Sequence, residues 1–83
     1  MKTLSNYIFI TYGYKSNNSI QKYKGLFIDW SNKGEELTFN KLLNIIKEKH
    51  KSSTFHSIIN IDFYDEFTFK MLTSDIENNM LYK

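Results

Sequence analysis

Thr38 to Lys51, TFNKLLNIIKEKHK, is the stretch on which the reading of the whole chain turns. Phe39, Leu42, Leu43 and Ile46 stand at i, i+3, i+4 and i+7, one apolar stripe at helical period, and Ile45 widens it. Lys41, Lys47, Glu48 and Lys49 fall mostly off that stripe. Thr38 is placed to cap the helix, its hydroxyl accepting from a free N–H of the first turn, and Leu37 with Leu42 has the spacing of a hydrophobic staple. Lys41 at the third helical position excludes a capping box. Glu35 and Glu36 precede the positive end of the helix, and Lys47, Lys49, His50 and Lys51 crowd its negative end. One apolar stripe needs a surface to cover, and the flanking segments read as strands. The expected architecture is a helix packed on a sheet.

On the N-terminal side, Met1–Ser5 is a short lead-in to NYIFITYGY, Asn6–Tyr14, whose β-branched and aromatic residues predict a strand. Both of its faces are largely apolar, which suits a central strand or one with a covered outer face, and Gly13 is expected to mark a bulge. KSNNS, residues 15–19, is a polar turn into QKYKGLFIDW, Gln21–Trp30, the second strand of a hairpin. There Leu26, Ile28 and Trp30 point one way, Tyr23, Phe27 and Asp29 the other. Gly34 closes the next turn, where a positive φ is expected.

On the C-terminal side, FHSIINIDFY, Phe55–Tyr64, predicts a third strand with Phe55, Ser57, Ile59, Ile61 and Phe63 on one face. Asp65-Glu66 reads as a turn tip, and Phe67–Thr73 as a fourth strand with Phe67, Phe69 and Met71 inward. Ser74-Asp75-Ile76-Glu77 matches the S-x-x-E capping box, predicting a short helix to about Tyr82. The expected fold is a single α+β domain over residues 1–83, of order ββαββ(α), with an antiparallel four-stranded sheet and one main helix on one face.

Composition narrows the function classes. Eighty-three residues give a thin core. A domain of this size has a stability of order 5 kcal/mol. With no Cys there is neither a disulfide nor a thiolate metal site. Pro, Ala, Val and Arg are also absent, while Lys, Asn, Ile, Phe and Tyr dominate, a usage that suits an AT-rich genome, a low-GC bacterium or one of its phages. No run is long and apolar enough for a membrane helix or a secretory segment, so the expected location is the cytoplasm of a bacterial host. The net charge of +2 is uneven: residues 1–51 hold nine Lys against four acids, residues 52–83 two Lys against five. A basic chain without Arg lacks the usual bidentate reader of guanine and phosphate.

The candidate binding surface is Tyr12, Tyr14, Lys15, Lys22, Tyr23 and Lys24 across the first hairpin, with Trp30 as a further anchor. Tyr and Trp supply rigid amphipathic contact area at protein interfaces; Lys and Tyr also suit phosphates and unpaired bases. The bland alternative is a solvated hairpin whose tyrosines cover a thin core, with Trp30 in the core itself. Asp62, Asp65, Glu66, Asp75 and Glu77 form an acidic set without the spacing of a cation loop or a catalytic pair. His50 and His56 lack the spacing of metal ligands, and three isolated glycines make no phosphate loop. The expectation is therefore a non-enzymatic protein-binding module without metal or cofactor. Its sharper form is a small phage- or mobile-element-encoded inhibitor of a bacterial defence or nucleic-acid-processing complex. The alternative is a single-stranded nucleic-acid binder using the Tyr/Lys hairpin. Self-association through an open strand edge is compatible with either.

Overall fold

A computed structural model describes residues 5–17 and 19–83. The lead-in Met1–Leu4 and Asn18 of the polar turn lie outside the described residues. Tyr7–Lys15 (β1) and Lys22–Asp29 (β2) form the expected antiparallel hairpin, with Ile8 opposite Ile28, Ile10 opposite Leu26 and Tyr12 opposite Lys24. The helix Phe39–Lys49 (α1) follows, and then the strand Phe55–Phe63 (β3), which pairs antiparallel with the other side of β1. β2 and β3 therefore run in the same direction with β1 between them. Strands in that relation cannot be joined by a tight turn, and α1 is the crossover.

α1 begins as its sequence dictates: Thr38 Oγ1 accepts from the Lys41 N–H at 3.3 Å. Its buried stripe centres on Leu42, Ile45 and Ile46, leaving Phe39 51% exposed. That stripe meets Ile8, Ile10 and Tyr12 of β1 and Leu26 and Ile28 of β2, and Leu37 completes the same core. These are alternate strand positions, so a single face of the hairpin is committed to α1.

The C-terminal third departs from expectation. Residues 66–73 are not a strand but a helix, Glu66–Thr73 (α2). Asp65, read as a turn tip, is its N-cap, its carboxylate accepting from the Thr68 N–H at 2.7 Å, and Glu66 pairs with Lys70 one turn on at 3.2 Å. The period-two apolar pattern is thereby resolved on a helix: Phe69 is inward, while Phe67 and Met71 face water. α2 lies on the sheet face opposite α1. The Phe69 ring sits 5.3 Å from that of Tyr7 and 5.8 Å from that of Phe27, and the Tyr7 hydroxyl donates to Glu66 Oε2 at 3.0 Å. Helices thus cover both faces, not one.

The S-x-x-E pattern does not open a helix, because the Ser74 hydroxyl is used to close α2, donating to the Met71 carbonyl at 3.0 Å. The chain instead makes a 3₁₀ turn, Asn78–Met80, and ends in a two-residue strand, Leu81–Tyr82 (β4), parallel to β2. The sheet is mixed, in the order β3-β1-β2-β4, rather than wholly antiparallel.

The bulge falls on β3, not at Gly13, which pairs regularly with Tyr23 and Ser57. Thr11 faces Asn60 and Tyr12 faces Ile58, so Ile59 is the extra residue. A one-residue shift exchanges faces. Ile58 and Ile61 consequently both pack on the α1 core, and Phe55, Ile59 and Phe63 are exposed. Gly34 takes the expected positive φ, 71°. Among the described residues no helix is long and apolar enough to cross a membrane.

Candidate functional site: a basic cleft and an apolar ridge

The β1–β2 register sorts the hairpin residues by side. Tyr12 pairs with Lys24 and Tyr14 with Lys22 on the α1 side, whereas Tyr23, opposite Gly13, lies on the other. Lys15 pairs with Phe55, also on that other side, and its ammonium stands 5.8 Å over the Phe55 ring. Tyr12 is 1% exposed and belongs to the core, so it is not a surface anchor. Burial, with the nearby Tyr14, pushes its phenol up to about 12. Trp30 is likewise a core residue: its indole N–H donates to the Glu35 carbonyl at 2.9 Å and its ring lies 6.2 Å from that of Tyr82, nearly parallel. Lys33 lies over both rings, 5.6 Å from Trp30 and 5.0 Å from Tyr82. Tyr23 remains exposed, with no part in the cleft described next.

What the hairpin meets is the C-terminal end of α1. Packing of α1 on β1 brings His50, the C-cap, against both tyrosines. Tyr12 Oη is 2.8 Å from His50 Nε2, and the Tyr14 ring stacks on the imidazole at 3.7 Å and 18°. Burial holds the His50 pKa down, and the charges of Lys24, His56 and Lys49 add to that. The His56 ring N–H donates to the His50 carbonyl at 3.1 Å, satisfying one carbonyl at the helix end. Beside His50 opens a cleft of about 500 Å³ walled by Lys24, Gly25, Lys49, Glu77, Asn79 and Met80, with Tyr12 lining it. Across His50 lies a smaller recess of about 190 Å³ whose lining includes Tyr14, Lys15, Lys22 and Ser53. Of the hairpin residues singled out from the sequence, Tyr12 and Lys24 line the cleft and Tyr14, Lys15 and Lys22 the recess. Lys49 and His50 at the end of α1 were not among them, although the basic end of α1 was the available signal.

The acidic set does not converge. Asp65 caps α2, and the Thr68 N–H holds its carboxyl below the usual range. Glu66 is held low first by the Tyr7 hydroxyl and then by Lys70. Asp62 accepts from the Asn60 side-chain amide, and Glu77 lines the cleft. Among the described residues no three His, Asp or Glu side chains group to hold a metal ion.

A second surface is apolar. Along the outer side of α2, Phe67 is 75% exposed, Met71 63% and Leu72 45%. Phe67 and Met71 are one turn apart and form a ridge. The sequence reading placed both inward. The helix signals that relocate them were present: Asp65 before Glu66, and Glu66 four residues before Lys70. β3 is an outer strand of the sheet, but its bulge at Ile59 interrupts the ladder that edge-to-edge pairing requires.

No protein-family model matches this chain, and neither a curated protein nor a solved structure matches it significantly.

Proposed function

We propose that the protein is a non-enzymatic protein-binding module whose contact surface is the outer ridge of α2. One observation carries this reading: an eight-residue helix spends a single buried residue, Phe69, on its own docking and turns Phe67, Met71 and Leu72 to water. Apolar area left in water is unfavourable by roughly 25 cal/mol per Å², a cost recovered when a partner covers it. Aromatic residues and Met are the types enriched where protein interfaces are fully desolvated. The partner is thus a protein with a shallow apolar groove. The narrower form of the proposal is an inhibitor encoded by a phage or mobile element, acting on a bacterial defence or nucleic-acid-processing complex. The short chain and its AT-biased residue usage support it.

The test is affinity capture of the tagged full chain from a nuclease-treated lysate of a low-GC bacterium, with wild type beside Phe67→Asp/Met71→Asp. The expected result is a stoichiometric protein that wild type retains and the variant loses while keeping its circular dichroism spectrum. A partner held equally by both, or no partner at all, contradicts the proposal.

A further inference from the structure

The basic cleft is a separate feature from the α2 ridge, and its chemistry points to a different ligand. Among the described residues Lys41, Lys51 and Lys70 are each paired with a carboxylate, whereas Lys15, Lys22, Lys24 and Lys49 form no ion pair. Lys24 and Lys49 line the cleft on one side of His50 and act on its imidazole, while Lys15, its ammonium over the Phe55 ring, and Lys22 belong to the lining of the recess on the other side. Among the described residues Glu77 is the only acid in either lining. The positive field reaches His50 itself, since Lys24 and Lys49 both help to hold its pKa down.

We propose that the cleft between Lys24 and Lys49 binds a phosphate-bearing ligand of nucleotide size. At about 500 Å³ it falls in the range of small-molecule sites, ~300–1,000 Å³. Lysine binds phosphate as a point charge, so the absence of Arg does not count against such a site. Lys24 comes from β2 and Lys49 from α1, where its ammonium donates to the Asn79 carbonyl at 3.2 Å, so two walls of the cleft each carry a lysine. Met80, 38% exposed, gives the cleft an apolar side for a sugar or base. Two sources present this chemistry: a free nucleotide, or a nucleotide within a single strand whose next phosphate reaches the Lys15–Lys22 recess.

The experiment titrates the full chain at low salt with adenosine monophosphate and, separately, with a fluorescent twelve-residue oligothymidylate. It follows the imidazole resonances of His50 and the anisotropy of the oligonucleotide. Binding of either ligand with a shift at His50 is expected, at least tenfold weaker in Lys24→Gln/Lys49→Gln and unchanged in Lys33→Gln. For the oligonucleotide, log K should fall with log salt by about 0.7 per phosphate neutralised, so the double variant loses about 1.4 from the slope. Binding of both ligands assigns a nucleotide site; binding of the oligonucleotide alone assigns the strand and adds Lys15 and Lys22. The inference is overturned if neither ligand moves His50, if the double variant binds as wild type, or if Lys33→Gln weakens binding as much. Phe67→Asp/Met71→Asp should bind these ligands normally, which separates this outcome from that of the α2 ridge.

Discussion

On the α1 side of the sheet, Ile8, Ile10, Leu26 and Ile28 meet Leu42, Ile45 and Ile46, and none of the seven is more than 5% exposed. On the α2 side Phe69 is the one comparably buried apolar side chain among the described residues, and Tyr7, Phe9 and Phe27 stay half-buried. The α1 side has branched aliphatic side chains packed between a three-turn helix and a hairpin. The α2 side has rings in tilted and edge contacts, a helix of eight residues, and polar fastenings at its first turn. The difference teaches where the fold is made and where it is left open: the α1 side supplies the cooperative core, and the α2 side is a lightly anchored platform.

The largest effect expected from breaking this contrast is at Ile46. Ile46→Ala opens a cavity in the dry core and should lower stability by about 2–5 kcal/mol. That is a large share of the total for a domain of this size, so the urea midpoint should fall steeply or the chain should fail to fold. Phe69→Ala removes more side chain but should shift the urea midpoint less. Once α2 has undocked nothing further is lost, and the β1–β3 amides should keep their protection while those of α2 exchange faster. A midpoint shift equal to that of Ile46→Ala would place both faces in one cooperative core.

A smaller effect is expected at the Tyr12–His50 contact. Tyr12→Phe removes one hydrogen bond, at a cost of about 1 kcal/mol. The pH dependence sharpens the same point. The phenol of Tyr12 is raised in the fold to about 12 from 10.0, so its contribution is complete below pH 10 and is lost as pH rises towards 12. Ultraviolet titration should show one tyrosine ionising near 12 that Tyr12→Phe removes. His50 is shifted the other way. Its neutral form is favoured in the fold, so the contribution is present above pH 6.5 and is lost as pH falls from 6.5 towards the lower folded value. In the wild type, the His50 imidazole should titrate below 6.5 in a proton NMR series.

The smallest effect belongs to α2 at acid pH. Asp65 and Glu66 both have folded values below the ordinary 3.8 and 4.5. The stability they add is present above those ordinary values and disappears as pH falls through the folded ones. α2 should therefore loosen below pH 4.5 while the sheet signal persists, which near-ultraviolet dichroism from Tyr7 would report ahead of the far-ultraviolet change.

The same contrast explains what was legible in the sequence. The α1 side announces itself, because Leu42, Ile45 and Ile46 repeat at helical period and Ile8, Ile10, Leu26 and Ile28 alternate at strand period. The α2 side does not. Phe67, Phe69 and Met71 alternate like a strand, and a helix held by one inward ring needs no more periodicity than that. The cap at Asp65 and the Glu66–Lys70 pair outweigh the alternation, and both are short-range signals easily read as turn chemistry. On β3 the alternation was right on each side of Ile59 and wrong across it, since no residue there marks the bulge. Of the candidate surface, Lys15, Lys22 and Lys24 lie on the hairpin as the alternation places them, and all three are exposed. Trp30 alternates with Leu26 and Ile28, the pattern of a core residue, and is buried with them; Tyr12 shares a strand face with Ile8 and Ile10 and is buried with those, although it stood in the candidate surface.

Native-state hydrogen exchange at neutral pH, read residue by residue against added denaturant, tests the division between the two faces most directly. The account predicts that the protected amides of β1, β2 and α1 exchange through a single global opening, and those of residues 66–73 through a separate opening of lower free energy. Amides of α2 protected to the same free energy as those of α1 would contradict it, because the ridge would then belong to the core that holds the fold.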